Sequence, residues 1–515
     1  MAQSIAGTSL CANAISHNRK VLCQVDVAWG QTWATLSASD WVDESAHVLA
    51  VDGNMSLAEP GVGLTRTGAA DVNTARVTLR NYDNRYSPWN TNSAIYASTC
   101  GGQLFMTPIS VCVGFDAAGT PEMLHQFAGV IARPTEETIS KTATWECKDR
   151  SWTFRSTKYA TSVCTDITPD AYLGALCTQA SIAAADRTFD EGSLSFPYAW
   201  MDEENIAAEM QDVAQADGGM LYFNKSGSLI YENINHWLSD TDCIDTAGTF
   251  DFTVSDFQEL QPEFTHNEVY SGVIVEQNVR ERGAIHTVYS RTDPIYIEPA
   301  GTQTIKCRLN KPILSLETPE EDTDYLIMTG GGRKVSGSVS ITSTSYAQQV
   351  DVTFTNSSSA YGMYITRFEL RGEALWGGPV AESKEESTGG YIEEEKLLEL
   401  RGNSYIQRQA QADMLAKFLR DRTERPREIY HLSGVPGIPW LELTDRISIT
   451  EADSGITACA HIFGLGWRFI GGAGALYEQD ITAVNAANLF PYDSASYFVI
   501  GSCEMSGSDS AILAY

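Results

Sequence analysis

Thr74-Ala-Arg-Val-Thr-Leu-Arg80, running straight into Asn81-Tyr-Asp-Asn-Arg-Tyr-Ser-Pro-Trp-Asn90, is the stretch from which the rest of the chain can be read. Ala75, Val77 and Leu79 alternate with Thr74, Arg76, Thr78 and Arg80, the period-two pattern of a half-buried strand. Asn81, Asp83 and Asn84 then supply short polar side chains able to bond nearby backbone amides, as turns require. Pro88 has no amide hydrogen and stops further pairing. The segment is a strand ending in a rigid turn.

Similar strands lie on both sides of it. Val21, Cys23, Val25 and Val27 alternate, and Val48, Val51, Met55 and Leu57 flank an expected turn at Asp52-Gly53-Asn54. Leu104–Val113, Leu124–Ile131 and Thr142–Asp149 complete an all-β barrel or sandwich over about residues 20–158. A mixed region follows. Asp166 or Thr168 can cap a helix with Pro169 in its first turn, and Asp202 a second that ends at Gly218-Gly219. Met220, Tyr222, Leu229 and Tyr231 alternate around Asn224–Gly227, a hairpin in which Gly227 can take positive φ.

Strands resume at Val269, Ser271, Val273 and Val275, and alternation over 294–376 predicts a separate small β-sandwich. A Glu-rich stretch, Glu382–Glu395, precedes a helix expected over Ser404–Arg422, which Pro426 terminates. Gly437–Ile449, Ile462–Ile470 and Tyr477–Thr482 are again strand-like.

Length and composition agree with a multidomain, mainly β protein. A chain of 515 residues is too long for one core, and 41 glycines with many Thr, Ser, Val and aromatics favour strands and turns over a helical bundle. With 66 acidic against 35 basic side chains, adhesion to phosphates through bulk charge is disfavoured. The 11 cysteines are scattered without zinc-ligand spacing, as expected of reduced, buried thiols in a reducing cytoplasm. No apolar run has the length of a membrane span, and the first residues lack the pattern of a signal peptide.

No catalytic constellation emerges. There is no His-Glu-x-x-His, Gly-x-Ser-x-Gly or Walker phosphate loop, and Gly330-Gly-Gly-Arg-Lys334 reads as a hairpin turn. The acidic runs (Asp202/Glu203/Glu204, Glu320/Glu321/Asp322, Glu393/Glu394/Glu395) lack the isolated, raised-pKa pair that glycosidases use. Asp240, Asp242 and Asp245 lack an EF-hand loop, so neither metal nor cofactor is expected. The eight histidines are dispersed, His431 and His461 among them in expected strands.

Three phrases carry a resemblance. The strand-turn phrase at Arg76, Asn81, Asp83, Arg85 and Pro88 resembles a signature of the tail-tip, or baseplate, hub proteins of long-tailed bacteriophages. The helix-Gly-Gly-hairpin phrase with Gly218, Gly219 and Gly227 resembles the same family, as does Leu443-Thr-Asp-Arg446, with Thr444 where Gly is usual. They occur in the family's order across about 74–485.

The resemblance implies an N-terminal arm (1–20), a first hub β-barrel (21–158), an α+β domain (159–255) and a discontinuous second barrel (256–293 plus 395–485). Around these it leaves the inserted sandwich (294–376), an acidic linker (377–394) and a C-terminal extension (486–515) that pairs within its own domain or with a neighbour. It further implies a non-enzymatic homotrimer at the tail tip of the virion, assembled in the host cytoplasm. Its partners would be the distal tail protein ring, the tape-measure protein C-terminus, and central fibre or receptor-binding proteins. DNA would pass along an acidic lumen without specific binding. Two alternatives stand beside it: a host-surface adhesin binding glycan through Tyr346, Tyr361 or Tyr364, and, disfavoured for lack of a site, a cell-wall hydrolase.

Overall fold

The computed structural model describes residues 20–57, 67–93, 95–96, 104–117, 120–155, 157–238, 251–252, 257–265, 267–387, 395–472 and 474–486. The N-terminal arm, the aspartates at 240, 242 and 245, and the C-terminal extension lie outside them, save for Lys20 and Ala486.

The chain is mainly β, with several sheets and three α-helices among the described residues. Its largest sheet has 13 strands and takes them from both ends of the sequence. Along the sheet run Glu259–Thr265, Arg427–Pro436, Leu476–Asn485 and Ile456–Ile470, then Val48–Ser56, Thr74–Arg80, Thr142–Asp149, Thr120–Glu137, Pro108–Ala117, Lys20–Val27 and Val42–Asp43. Arg446–Glu451 adds to Ile456–Ile470, and Asp251–Phe252 to Arg446–Glu451.

The N-terminal and C-terminal halves meet where Val48–Ser56 pairs antiparallel with Ile456–Ile470, Ala50 opposite Ile470 through Ser56 opposite Gly464. The turn expected at Asp52-Gly53-Asn54 is therefore absent. Val48–Ser56 is paired on both edges, to Thr74–Arg80 as well, so its backbone groups are satisfied in an extended strand. Gly53 serves a close approach instead. It lies opposite Trp467, and a Cβ there would fall 2.3 Å from Cε2 of the buried Trp467 ring.

One hydrophobic core underlies both halves, from Val21 to Val484. In the first half Trp29, Tyr86 and Trp145 pack together, Trp145 edge-on to Trp29 at 5.8 Å and to Tyr86 at 5.1 Å between centroids. Tyr86 thus plugs the turn after Thr74–Arg80 into the core.

The helix Pro169–Gln179 follows Thr168 as its N-cap, with Pro169 in the first turn. The second helix, Ile206–Ala216, departs from expectation: Asn205 caps it, its Oδ1 accepting from the Ala207 amide at 2.9 Å. Asp202 lies in a strand, Asp202–Asn205, paired with Lys158–Ala160. Arg308 from the distant insert draws Asp202 and Glu203 away from capping, at 3.0 and 3.1 Å.

The expected boundary at 293/294 is not where the sheets divide. Arg280–Arg291 pairs along Met363–Gly377, so the insert's sheet begins before 294. Gly272–Gln277, expected in the second barrel, lies between Ala381–Glu386 and Leu397–Leu400 in a separate three-stranded sheet. The expected acidic linker thus supplies a strand. Two of its described acids are paired in place, Glu382 with Arg401 at 2.5 Å and Glu385 with Arg420 at 2.6 Å, while 388–394 lie outside the described residues.

The helix expected from Ser404 begins only at Gln409 and runs to Thr423. Asn403 closes a local turn, its Oδ1 accepting from the Tyr405 amide at 2.9 Å, which competes with helix formation. Buried Tyr405 donates its phenol to Glu209 on Ile206–Ala216. Burial, reinforced by Glu204 and Asp212, pushes Glu209 up to about 9, so it holds its proton at neutral pH.

Two outcomes follow. Gly53→Ala should destabilise the protein by roughly 1–3 kcal/mol in denaturant unfolding through overpacking against Trp467. Gly466→Ala, where a Cβ meets nothing nearer than 3.6 Å, serves as the tolerated control. The stability contributed by protonated Glu209 is complete below its unfolded pKa and is lost as pH rises through about 9. Glu209→Gln should therefore melt higher than the parent at pH 9, the gap closing towards pH 5. A gap independent of pH would refute the protonated assignment.

Candidate functional site

On the face opposite the core, the pairing that joins the halves carries a row of alternating charge. Cross-strand register aligns Arg133 with Glu146, Glu146 with Arg76, Arg76 with Asp52, Asp52 with Arg468, and Arg468 with Glu478. Arg133 and Glu146 close to 3.7 Å. Partial burial raises the pKa of Asp52, and Arg76 and Arg468 on its two sides pull it back down. Arg76 therefore sits beside the junction between halves. The row is balanced in sign.

The turn after Thr74–Arg80 is held by two carboxylates that sequence reasoning missed. Glu44 accepts from Arg85 Nη2 at 2.6 Å, Arg85 Nε at 3.0 Å, Tyr86 Oη at 2.7 Å and Trp29 Nε1 at 3.1 Å. Glu136 accepts from Asn81 Nδ2 at 3.0 Å, and Asn81 Oδ1 takes the Tyr86 amide at 3.0 Å. Asp83 accepts from the Arg85 amide at 3.2 Å, and Pro88 continues the turn. So anchored, the turn exposes Tyr82 and Trp89, and the neighbouring 137–142 hairpin exposes Ile139.

A third cluster binds the α+β hairpin to both halves of the sheet. Lys225, buried in the turn between Met220–Phe223 and Leu229–Glu232, donates to Gln126 Oε1 at 2.9 Å and to the Pro439 carbonyl at 3.2 Å. Tyr477 donates to the same Gln126 oxygen at 2.6 Å, and Glu442 accepts from the Lys225 amide at 3.3 Å. Burial depresses Lys225, offset by Glu442 and Asp445, while burial raises Glu442 and pushes Asp445 up to about 6.

The remaining family-phrase residues gather here. Gly218 and Gly227 have φ of 68° and 80°, and Arg150 holds the Gly227 carbonyl at 2.8 Å. Gly219 lies close against the Glu232 carbonyl. Leu443 is buried, Asp445 accepts from the Glu442 amide at 2.7 Å, and Arg446 lies opposite His461. Thr444 occupies φ 69° where the family resemblance expects Gly. A β-branched residue there costs roughly 1–3 kcal/mol of strain, and its hydroxyl is fixed on Glu232 at 2.9 Å.

In the insert, Tyr361 and Tyr364 line a cavity with Tyr296, whereas Tyr346 is not among its lining residues. Gly330–Lys334 is a turn, as expected: the Thr329 amide bonds the Arg333 carbonyl at 2.9 Å. Among the described residues no group of three or more His, Cys, Asp or Glu is placed to hold a metal. What the clusters do is hold chain segments together. Lys225 carried no sequence signal beyond a turn lysine; Glu442 did, as a lone acid within Trp440-Leu-Glu-Leu443.

Comparison with known proteins gives no matching family model and no matching curated protein. Solved structures do match. Phage tail proteins are among them. A tail protein from Neisseria meningitidis aligns with TM-score 0.47 and 9% identity, over 91% of this chain and 98% of that one. The 43 kDa tail protein of prophage MuSo2 from Shewanella oneidensis gives 0.46 and 10%, over 90% and 99%. An E. coli type VI secretion component, described as similar to phage T4 tail proteins, gives 0.35 and 9%, over 85% and 73%. Among the described residues no helix is long and apolar enough to cross a membrane.

The charged row makes a coupled prediction. Asp52→Arg and Arg468→Asp should each lower stability by roughly 0.5–2 kcal/mol, since each sets like charges opposite one another. Because the double variant restores one opposed pair, it should be no less stable than either single. Losses that simply add would show that the row is not coupled across the junction.

Proposed function

We propose that the chain is a structural subunit of a phage tail tip, a hub in which three copies join head to tail around a channel. One observation carries the reading. Two β modules from opposite ends of the chain are held in a single 13-stranded sheet, and among the described residues both ends of that sheet remain open. At one end Glu259–Thr265 pairs only with Arg427–Pro436; at the other, Lys20–Val27 is bridged on its outer edge only by Val42–Asp43. An end that cannot pair with itself but can meet the opposite end of another copy makes a heterologous contact, which closes into a ring when the rotation allows.

The open edge at Glu259–Thr265 is guarded. Glu259, Pro262 and Glu263 oppose indiscriminate strand addition, while Phe264 is 64% exposed and offers an apolar contact. Contact there is by side chain. Three such chains would set six alike modules around the channel, a physical route from a sixfold tail tube to threefold tip or fibre proteins. Tyr82, Trp89 and Ile139, exposed together beside the anchored turn, form the surface on which the distal tail ring would seat. The tape-measure C-terminus and the fibre or receptor-binding proteins are the other partners in this reading. DNA would pass along an acidic lumen without specific binding, since it offers no continuous cationic track.

Native mass spectrometry tests the assembly. The expected species is three times the 56.3 kDa chain, reduced to monomer by Phe264→Asp without a change in melting of the chain itself. A parent protein that stays monomeric at every concentration measured would overturn the ring.

A further inference from the structure

The inserted sheets hold a cavity of about 1000 Å³ that has no part in joining the two modules. Two features set it apart. Three tyrosines contribute to it: Tyr296 and Tyr364 pack with centroids 4.9 Å apart at 44°, and Tyr361 stands 67% exposed at the mouth. In addition, no carboxylate is among the lining residues, although the chain carries 66 acidic side chains against 35 basic ones. Arg333 and Lys334 are the charged groups there. Lys334 is held by Asp322 at 2.5 Å, whereas Arg333 makes no ion pair among the described residues.

We propose that this cavity binds an acidic saccharide, the tyrosine faces covering the apolar face of a sugar ring and the Arg333 guanidinium taking a carboxylate or phosphate on it. The chemistry needs both parts. Aromatic rings supply flat contact area with little conformational entropy to lose, and a guanidinium offers parallel donors matched to a planar anion.

The site is also built in advance. Buried Asn356 donates Nδ2 to the carbonyls of Glu298 at 3.0 Å and Tyr361 at 2.8 Å, and Ser358 Oγ accepts from the Tyr361 amide at 3.3 Å. Opposite, the Arg333 amide bonds Thr329 Oγ1 at 3.3 Å, and the Gly332 amide the Thr329 carbonyl at 2.9 Å. Loops fixed before binding lose less freedom when a ligand arrives. Neutral saccharides would leave Arg333 without its counter-charge; acidic peptides would leave the tyrosine faces unused.

Calorimetry on the full chain tests this with three acidic saccharides: oligogalacturonate, oligosialic acid and a glucosylated glycerol-phosphate oligomer. Neutral cellohexaose and polyglutamate are the controls. At least one acidic saccharide should bind saturably, one per chain, and more tightly than both controls by about tenfold or more. Tyr361→Ala and Arg333→Ala, both at exposed positions, should each weaken that binding by about tenfold or more while melting as the parent does. The proposal is overturned if none of the three binds, if either control binds as tightly, or if either variant binds like the parent. The carboxylated and phosphorylated probes identify which anion the guanidinium prefers. Oligomeric state does not enter the readout, so failure here leaves the hub reading standing.

Discussion

Seven residue pairs, Ala50–Ile470 through Ser56–Gly464, join strands that are about four hundred residues apart in sequence, and the large sheet exists as one body because of them. Closing so long a loop is entropically unfavourable, so the junction needs specific support on both faces. On the core side Trp467 fits against the bare backbone of Gly53. On the other side a row of alternating charge passes from Arg133 to Glu478 without interruption. A one-residue slip would turn Trp467 outwards and set the charges out of phase.

The α+β hairpin acts on the same junction from below. Gln126 belongs to the N-terminal half, Glu442 and Tyr477 to the C-terminal half, and Lys225 reaches both. A buried ammonium and carboxylates are expensive to desolvate, so such a cluster is weak evidence of stability. Its value is in specificity: Lys225 and Gln126 meet their partners only when all three segments are docked. Thr444 fits the same pattern, a strained backbone held in place because its hydroxyl belongs to the cluster.

Charge is apportioned by location rather than spread evenly. Glu382 and Glu385 are tied to Arg401 and Arg420, and Glu209 is kept neutral by burial. The insert's cavity is lined by no acid at all. A net charge describes solubility and repulsion at a distance; it does not describe any one surface, which is why an acidic chain can present a balanced row at its junction and a cationic cavity in its insert.

Much of the fold was legible in local pattern. Thr74–Arg80 and Thr142–Asp149 alternate without interruption and form strands with those bounds, and Pro169 marks its helix start, because each signal depends only on neighbouring residues. The same holds for the Gly330–Lys334 turn. Where a distant partner decided, local reading failed. Asp52-Gly53-Asn54 has turn chemistry but became mid-strand once paired on both edges; Asp202 has cap chemistry but was taken by Arg308; Glu382–Glu386 has linker chemistry but found arginines and a strand to join. By itself, then, the sequence determined the elements whose signal is wholly local, such as Thr74–Arg80, Thr142–Asp149 and the helix start at Pro169, through periodicity and the stereochemistry of Pro. Only the tertiary structure decided which strands share a sheet, where the insert begins, and that Lys225, Gln126 and Glu442 meet, because long-range pairing and burial act between residues whose proximity no local pattern encodes.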